Sequence, residues 1–304
     1  FFGRVGLFRN QVGDQLLKKA DLVVTIGYDP IEYEASNWNH ELDTEIINID
    51  EVAAEITNHL RPEKELIGNI AGTIELISEN IDAPIIDDKH LNDLEKLRAE
   101  VIETSGIKCT HVDGVLHPLE IIETMQKSLS DDTTVTVDVG SHYIWMARKF
   151  RSYNPRHLLF SNGMQTLGVA LPWAIAAALV RPNTQVVSVA GDGGFLFSGQ
   201  DLETAVRKKL NIIQLIWNDG KYNMVEFQEE MKYKRSAGVE FGPVDYVKYA
   251  ESMGAKGMRV TTQEELEAAI KEGYETEGPV LIDIPVNYQD NIKLSTNVLP
   301  DSLN

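Results

Sequence analysis

Two short apolar runs, each followed closely by an aspartate, constrain the fold of this chain more than any other feature. Residues 186–190 and 212–217 are rich in β-branched and other apolar side chains, as is typical of strands buried in a parallel sheet. Between them we predict a helix that begins at the capping-box-like segment 198–201 and ends near Lys208. This order of elements predicts one βαβ unit with a right-handed crossover.

The βαβ unit is expected to bring two carboxylates to one edge of the sheet. Asp192 follows the first strand and Asp219 follows the second, and ligands of open α/β sheets bind at that edge. Mg²⁺ typically takes one or two carboxylates together with phosphate oxygens. Gly193 and Gly194 have no Cβ, so their backbone N–H groups can approach a phosphate closely. The segment predicts Mg²⁺ held between the protein and a diphosphate, although the Asp-Gly pair alone also fits a plain turn.

Further apolar runs predict parallel strands that alternate with helices. In the first part of the chain we predict strands at 21–27 and 45–50 and helices at 14–20, 51–60 and 66–78. Later strands are predicted at 133–138, 257–260 and 279–285, and later helices at 118–128, 169–180, 224–234, 246–253 and 262–273. We also expect a loop at 139–142, a helix buried on all sides at 169–180, and a polar tail at 287–304.

The composition changes between residues 84 and 108, where a polar linker precedes a charged amphipathic helix predicted at 91–105. We therefore divide the chain into residues 1–85, a linker and helix at 86–108, and a second domain at 109–304. With only two clear strands, the first part is expected to be half of a domain. The turn at 27–30 either lines a nucleotide site or simply ends a strand.

The acidic composition argues against two classes of partner. Forty-seven Asp and Glu against 28 Lys and Arg give a formal net charge of −19, which disfavours nucleic acids and anionic membranes. No apolar run reaches the roughly 18 residues of a membrane span. The single cysteine, Cys109, permits no internal disulfide and fits a reducing compartment. We therefore expect a cytoplasmic protein.

Several motifs resemble one family of thiamine diphosphate enzymes. Gly-Asp-Gly at 191–193, then 24 residues, then Asn218-Asp219 resembles the thiamine diphosphate motif, with aspartate where a second asparagine usually stands. The segments 139–145, 161–173, 191–195 and 217–225 together resemble the catabolic α-acetolactate synthases, and 2–10 and 25–33 resemble that family's middle domain. The resemblance therefore covers essentially the whole chain.

This resemblance implies an α/β fold of parallel sheets flanked by helices. Residues 109–304 would be the diphosphate domain of a thiamine diphosphate-binding fold, and residues 1–85 would be part of a Rossmann-like middle domain. The implied reaction condenses two pyruvate molecules into 2-acetolactate and CO₂, in the acetoin and butanediol branch, with thiamine diphosphate and Mg²⁺. FAD is not expected, since Gln228 stands where the biosynthetic enzymes have tryptophan, and Gln228 would lie in the substrate pocket.

The resemblance also implies residue roles. Asp192, Asp219 and the backbone carbonyl of Lys221 would bind the metal. The cofactor would contact Gly140, Ser141, His142, Gln165, Leu167, Gly193, Gly194, Tyr222 and Met224. Leu167 stands where relatives usually have a methionine that bends the cofactor, and a leucine can conserve that shape. For His142 we favour a binding role over acid–base catalysis.

One part of the family's active site is expected to lie outside this chain. In the family, a glutamate of an N-terminal domain protonates the pyrimidine ring, and it comes from the partner subunit of a homodimer or homotetramer. We therefore expect this chain alone to offer the diphosphate half of the site without turnover. Two alternatives remain open: another thiamine-dependent 2-oxo acid decarboxylase or oxidase, and a non-catalytic nucleotide-binding domain.

Overall fold

A computed structural model gives the fold of the chain. It describes residues 12–18, 20–31, 33–41, 44–81, 109–161 and 163–291, together with the isolated positions 5, 89, 91–96 and 99. The described residues form two compact units, which divide between residues 107 and 108. Residues 91–96 are helical, and the rest of the helix predicted at 91–105 lies almost entirely outside the described residues.

The first unit is built on a parallel sheet of three strands in the order β1-β2-β3. One face of this sheet packs on a small core that includes Val23, Ile46, Trp38 and Leu60. The elements are α1 (Val12–Leu17), β1 (Leu22–Ile26), β2 (Glu45–Asp50), β3 (Lys64–Ile67) and α2 (Ile70–Asn80). The third strand takes up the first residues of the helix that we predicted at 66–78.

The helix predicted at 51–60 is wrong, because this segment is irregular in the structure. Val52 and Ile56 have helical spacing but are 68% and 60% exposed, so no apolar surface holds them on a helix. Instead, Leu60 enters the core at 2% exposure. The Thr57 hydroxyl accepts a hydrogen bond from the Leu60 backbone N–H at 3.0 Å, which closes a turn.

The other face of the first sheet is apolar and exposed along β1. Along β1, buried and exposed positions alternate, and Leu22, Val24 and Ile26 are 44%, 47% and 50% exposed. Parallel sheets are normally covered by helices on both faces. The exposed apolar residues of β1 are therefore typical of a sheet face that another helix or domain covers.

The second unit contains a parallel sheet of six strands in the order β5-β4-β6-β7-β9-β8. Its three longest strands, β6, β7 and β9, are buried along almost their whole length, which explains why most of their residues are apolar. The strands are β4 (Thr134–Val137), β5 (Leu158–Phe160), β6 (Val186–Gly191), β7 (Ile212–Asn218), β8 (Lys256–Arg259) and β9 (Val280–Pro285). The sheet confirms the predicted α/β class.

Helices flank this sheet, and most lie close to the predicted positions, although none was predicted at 141–149 or 192–198. They are α3 (Pro118–Ser128), α4 (Ser141–Lys149), α5 (Ala170–Val180), α6 (Asp192–Ser198), α7 (Leu202–Arg207), α8 (Asn223–Tyr233), α9 (Tyr246–Ser252) and α10 (Gln263–Glu275). The start of α3 matches the prediction because proline occupies its first position and His117 caps it in a capping box. No helix of the described residues is long and apolar enough to span a membrane.

One predicted helix start and one predicted loop are corrected, and both corrections concern residues near the sheet edge. After β6 the chain turns into α6 at once, with Gly191 as the N-cap residue, and Ser198 makes no capping hydrogen bond. A short 3₁₀ turn at 199–201 then leads into α7. Similarly, the loop predicted at 139–142 is shorter, because α4 begins at Ser141. Asp192 and His142 therefore lie in the first turns of helices.

Two further predictions are corrected by burial. Helix α5 is not buried on all sides, since Leu179 and Val180 are 54% and 76% exposed near its end. Residues 287–291, the start of the predicted polar tail, are polar but largely buried, since Asn287, Asp290 and Asn291 are at most 8% exposed. Their polar side chains are hydrogen bonded within the unit, which the polar sequence alone does not reveal. Residues 292–304 lie outside the described residues.

Candidate functional site

A cleft of about 210 Å³ lies at the carboxyl end of the six-stranded sheet. It is positioned by the register of two central strands, in which Gly191 of β6 pairs with Trp217 of β7. The chain therefore leaves both strands at the same level, and Asp192 and Asp219 both line the cleft. This is the sheet edge at which the βαβ unit predicted a ligand site.

The two aspartates are joined through the backbone that follows β7. Asp192 is 1% exposed, and its Oδ2 accepts hydrogen bonds from the backbone N–H groups of Asp219 at 3.1 Å and Gly220 at 2.6 Å. Its Oδ1 accepts the Gly193 N–H at 2.8 Å. Asp219 Oδ2 accepts a hydrogen bond from Asn223 Nδ2 at 2.8 Å. Asp192 thus fixes the turn that presents Asp219.

Burial makes both carboxylates reluctant to ionise. Desolvation raises the pKa of Asp192 from 3.8 to about 6, against the effect of its three backbone hydrogen bonds. Desolvation, together with the nearby Asp192 carboxylate, raises the pKa of Asp219 from 3.8 to about 7. Two buried carboxylates of like charge are costly without a counter-charge. A bound cation would relieve this cost, so the donor chemistry fits the predicted Mg²⁺.

The cation would need further oxygen ligands from elsewhere. Within the described part of the chain, no group of three or more Asp, Glu, His and Cys residues is placed to hold a metal. Lys221 lines the same cleft, while its Nζ pairs with Glu226 at 2.7 Å and Glu240 at 3.5 Å. Its side-chain charge is therefore engaged by these carboxylates. Two carboxylates completed by a carbonyl and phosphate oxygens suit a hard divalent cation.

The glycines after Asp192 are required by close packing. A Cβ on Gly193 would lie 2.6 Å from the Tyr222 ring, and one on Gly194 would lie 3.1 Å from Asp138 Oδ1. Only hydrogen fits at Gly193 without moving the ring, so the backbone itself forms the wall of the cleft. Tyr222 also lines the cleft and contacts Phe241, with ring centroids 5.2 Å apart. A backbone wall beside a cation site suits a diphosphate.

His142 lines the cleft and carries a buried polar atom without a partner in the described part of the chain. The side chain is 1% exposed, and Nε2 has no hydrogen-bond partner among the described residues. Desolvation lowers the pKa of His142 from 6.5 to about 3, so the ring is neutral at neutral pH. Gly140 adopts φ +152°, and a Cβ there would lie 2.8 Å from the ring. A neutral, fixed imidazole is suited to hydrogen bonding a ligand rather than to taking up protons.

Most of the other predicted contacts also reach the cleft. Leu167 and Met224 line it from two sides, and Ser141 lines it at the start of α4. The Ser141 hydroxyl, however, donates to Asn223 Oδ1 at 2.6 Å. Its predicted role towards a diphosphate is therefore limited by this internal bond.

Gln165 and Gln228 are not brought into the cleft by this structure. Gln165 is exposed and has a positive φ of 48°, in the segment before Leu167. Gln228 is exposed on α8, one turn after Met224. Both assignments, to the aminopyrimidine and to the substrate pocket, stay predictions.

Sequence reasoning missed Asp138, which organises the segment before α5. Its Oδ1 accepts the N–H groups of Val139 at 2.8 Å and Gly168 at 3.0 Å, and its Oδ2 accepts that of Ala170 at 3.2 Å. Gly168 has φ +82°, a conformation that favours glycine. The available signal was position, because Asp138 follows β4 as Asp192 follows β6.

Tyr288 is a second residue that sequence reasoning missed. It lines the cleft, and its ring stacks on Trp217 with centroids 6.5 Å apart and an interplanar angle of 29°. Burial raises the pKa of Tyr288 well above its ordinary value of 10.0, so it stays neutral. No local pattern marks this residue, because its contacts depend on the strand order.

Comparison with known proteins identifies a family to which part of the second unit is similar. Residues 138–284 match the family model described as thiamine pyrophosphate enzyme, C-terminal TPP binding domain. Residues 138–284 belong to this family. The matched region contains Asp138, Asp192 and Asp219, and thus the carboxylates that follow β4, β6 and β7.

Several curated relatives are similar to nearly the whole chain. Acetolactate synthase of Bacillus subtilis is 50% identical over 300 residues, which are 99% of this chain and 53% of that protein. Catabolic acetolactate synthase of Raoultella terrigena is 46% identical over 294 residues, 96% of this chain and 52% of that protein. A probable acetolactate synthase large subunit of Methanocaldococcus jannaschii is 28% identical over 295 residues, which are 94% of this chain and 49% of that protein. The chain spans about half the length of these relatives.

Proposed function

We propose that this chain is the carboxyl-terminal part of an acetolactate synthase of the catabolic branch. The enzyme condenses two pyruvate molecules into 2-acetolactate with release of CO₂, and uses thiamine diphosphate and Mg²⁺. The observation that carries the proposal is the pair formed by buried Asp192 and half-buried Asp219 beside the glycine wall of the cleft, in the region that matches a thiamine pyrophosphate-binding domain. The relative named catabolic is 46% identical, against 28% for the probable large subunit, which supports the catabolic branch.

The residues of the cleft would divide the work of holding the cofactor. Asp192, Asp219 and the carbonyl of Lys221 would hold Mg²⁺, and Gly193 and Gly194 would lie against the diphosphate. When bound, thiamine diphosphate supplies the electron sink that decarboxylation of a 2-oxo acid requires.

The remaining lining residues would shape the cleft around the bound cofactor. Neutral His142 would donate or accept one hydrogen bond, depending on its tautomer, without a change of charge. Leu167 and Met224 would exclude water and orient the bound groups. The backbone of Gln165 would contact the aminopyrimidine, and Gln228 would line the substrate pocket. FAD would not be required.

Residues outside this chain complete the active site in this proposal. The relatives are about twice as long as the matched stretch, which supports a catalytic glutamate supplied by another domain. The uncovered apolar face of β1 supports the assignment of residues 1–85 to part of a Rossmann-like middle domain. The complete enzyme would be a cytoplasmic homodimer or homotetramer with active sites between subunits.

Two experiments test this proposal. Calorimetry should show that thiamine diphosphate binds the complete protein in the presence of Mg²⁺ and at least tenfold more weakly in EDTA; the Asp192→Ala variant should lose this dependence. The exposed Asp131→Asn variant serves as the matched control. Product analysis with pyruvate should give 2-acetolactate, whereas acetaldehyde or acetyl phosphate would favour the decarboxylase or oxidase alternative. Absence of cofactor binding would favour a non-catalytic domain.

A further inference from the structure

Residues 287–291, which we call the C-terminal strap, are tied firmly to the second unit. Asn287 donates from its backbone N–H to the Leu116 carbonyl at 2.9 Å and from Nδ2 to the Thr110 carbonyl at 3.1 Å. Thr110 in return donates to Asp290 from its backbone N–H at 3.1 Å and from its hydroxyl at 3.0 Å. These bonds connect residues about 180 positions apart in sequence. Asn291, at the end of the strap, is therefore held in a defined place.

The orientation of the Asn291 amide is set by a tryptophan. Trp145 is fully buried, and its Nε1 donates to Asn291 Oδ1 at 2.7 Å. An indole N–H can only donate, so the amide oxygen must face Trp145. Asn291 Nδ2 then faces the opposite way, where it donates to Ser141 Oγ at 3.0 Å and to Asn223 Oδ1 at 2.7 Å. Each of its two N–H groups has an acceptor.

The same directionality passes to Asn223. Its Oδ1 accepts hydrogen bonds from both Asn291 Nδ2 and the Ser141 hydroxyl. Its Nδ2 must therefore turn towards Asp219, and it donates to Asp219 Oδ2 at 2.8 Å. A reversed Asn223 amide would place its oxygen against Asp219 Oδ2 and its NH₂ group against the NH₂ group of Asn291, so hydrogen bonds would be lost at both ends.

We propose that Asn291 is a positioning residue that acts on Asp219 through Asn223. The strap fixes which oxygen of Asp219 is occupied by a protein N–H, and it leaves Oδ1 for the cation. This inference rests on the proposed function, since it assumes that Asp219 binds Mg²⁺. Groups that orient a metal ligand typically change metal affinity by about 10–100-fold when they are removed.

The test is a double-mutant cycle on the complete protein. Mn²⁺ replaces Mg²⁺ as a paramagnetic probe, and its binding in the presence of thiamine diphosphate is titrated by electron paramagnetic resonance. Asn291→Ala should weaken Mn²⁺ binding about tenfold. In an Asn223→Ala background, where the connection is already broken, Asn291→Ala should have no further effect. Gln289→Ala, an exposed position of the same strap, should leave the affinity unchanged.

A second variant keeps the test decisive if Asn291→Ala does not fold. Trp145→Phe removes the indole N–H but keeps an aromatic ring, and it should weaken Mn²⁺ binding several-fold, with no further loss in the Asn223→Ala background. Equal affinities of wild type and both variants, or losses that add fully in that background, would overturn the inference. Failure of the wild-type protein to bind Mn²⁺ with thiamine diphosphate would instead overturn the proposed function.

Discussion

Replacing Asp219 by asparagine should stabilise the cofactor-free protein in a pH-dependent way. Burial and the Asp192 carboxylate raise the pKa of Asp219 from 3.8 to about 7, so the folded state binds more protons than the unfolded state between these values. The free energy of unfolding therefore falls as the pH rises through this window. A shift of roughly 3 units corresponds to about 4 kcal/mol as an upper limit above pH ~7. Asparagine keeps the oxygen that Asn223 Nδ2 contacts but carries no charge.

The assay is urea unfolding followed by circular dichroism, in EDTA, at about pH 5 and about pH 8. At about pH 8 the Asp219→Asn variant should exceed wild type by up to about 4 kcal/mol, and at about pH 5 this difference should shrink to no more than about 2 kcal/mol. Thiamine diphosphate with Mg²⁺ should stabilise wild type more than the variant, because the cation offsets the charge. The exposed Asp131→Asn variant should show no pH-dependent difference. A variant no more stable than wild type at the higher pH would refute the reasoning.

Two further predictions concern the walls of the cleft. Gly193→Ala should lower the free energy of unfolding by about 1–3 kcal/mol and weaken cofactor binding, because the added Cβ would lie 2.6 Å from the Tyr222 ring. The control is Gly242→Ala, where the added Cβ would meet open space. Equal stabilities of the Gly193→Ala variant and wild type in urea would contradict the packing argument. Because burial lowers the pKa of His142 from 6.5 to about 3, stability should fall as the pH drops from 6.5 towards 3. His142→Gln should remove a slope of up to about 1.4 kcal/mol per pH unit, and an unchanged slope in urea titrations would contradict this.

The central strands and several helices were predictable because local sequence and tertiary environment agree. Strands β6, β7 and β9 are mostly apolar, and the sheet buries them on both faces. Their ends locate Asp192 and Asp219, so the carboxylates at the centre of the candidate site follow from sequence alone. The right-handed crossover between parallel strands places both carboxylates together, since it returns the chain to the same edge of the sheet.

The predictions failed where tertiary contacts override local pattern. Gly193 and Gly194 are poor helix formers, so the sequence gives no sign that α6 begins at Asp192. The Ser-x-x-Asp pattern at 198–201 then imitates a helix start inside a segment that is already helical. The start of α6 at Asp192 is therefore decided by tertiary contacts rather than by helix propensity.

The C-terminal strap could not be predicted for a different reason. Asn291 bonds to Trp145 and Ser141 across 146 and 150 residues of sequence, and no local period reports such contacts. A polar stretch whose side chains satisfy one another in the folded state has the same composition as a solvated tail. A buried strap can be distinguished from a solvated tail only when the strand order, which brings the end of β9 beside α4, is known.

The most direct test of the proposed cofactor site is to locate the cation. Crystals of the complete protein grown with thiamine diphosphate and Mn²⁺ would give an anomalous difference map at the manganese absorption edge. We predict one strong peak at about 2.0–2.3 Å from carboxylate oxygens of both Asp192 and Asp219, beside Gly193. A peak elsewhere, or an ordered cofactor with no cation between the two aspartates, would contradict this prediction.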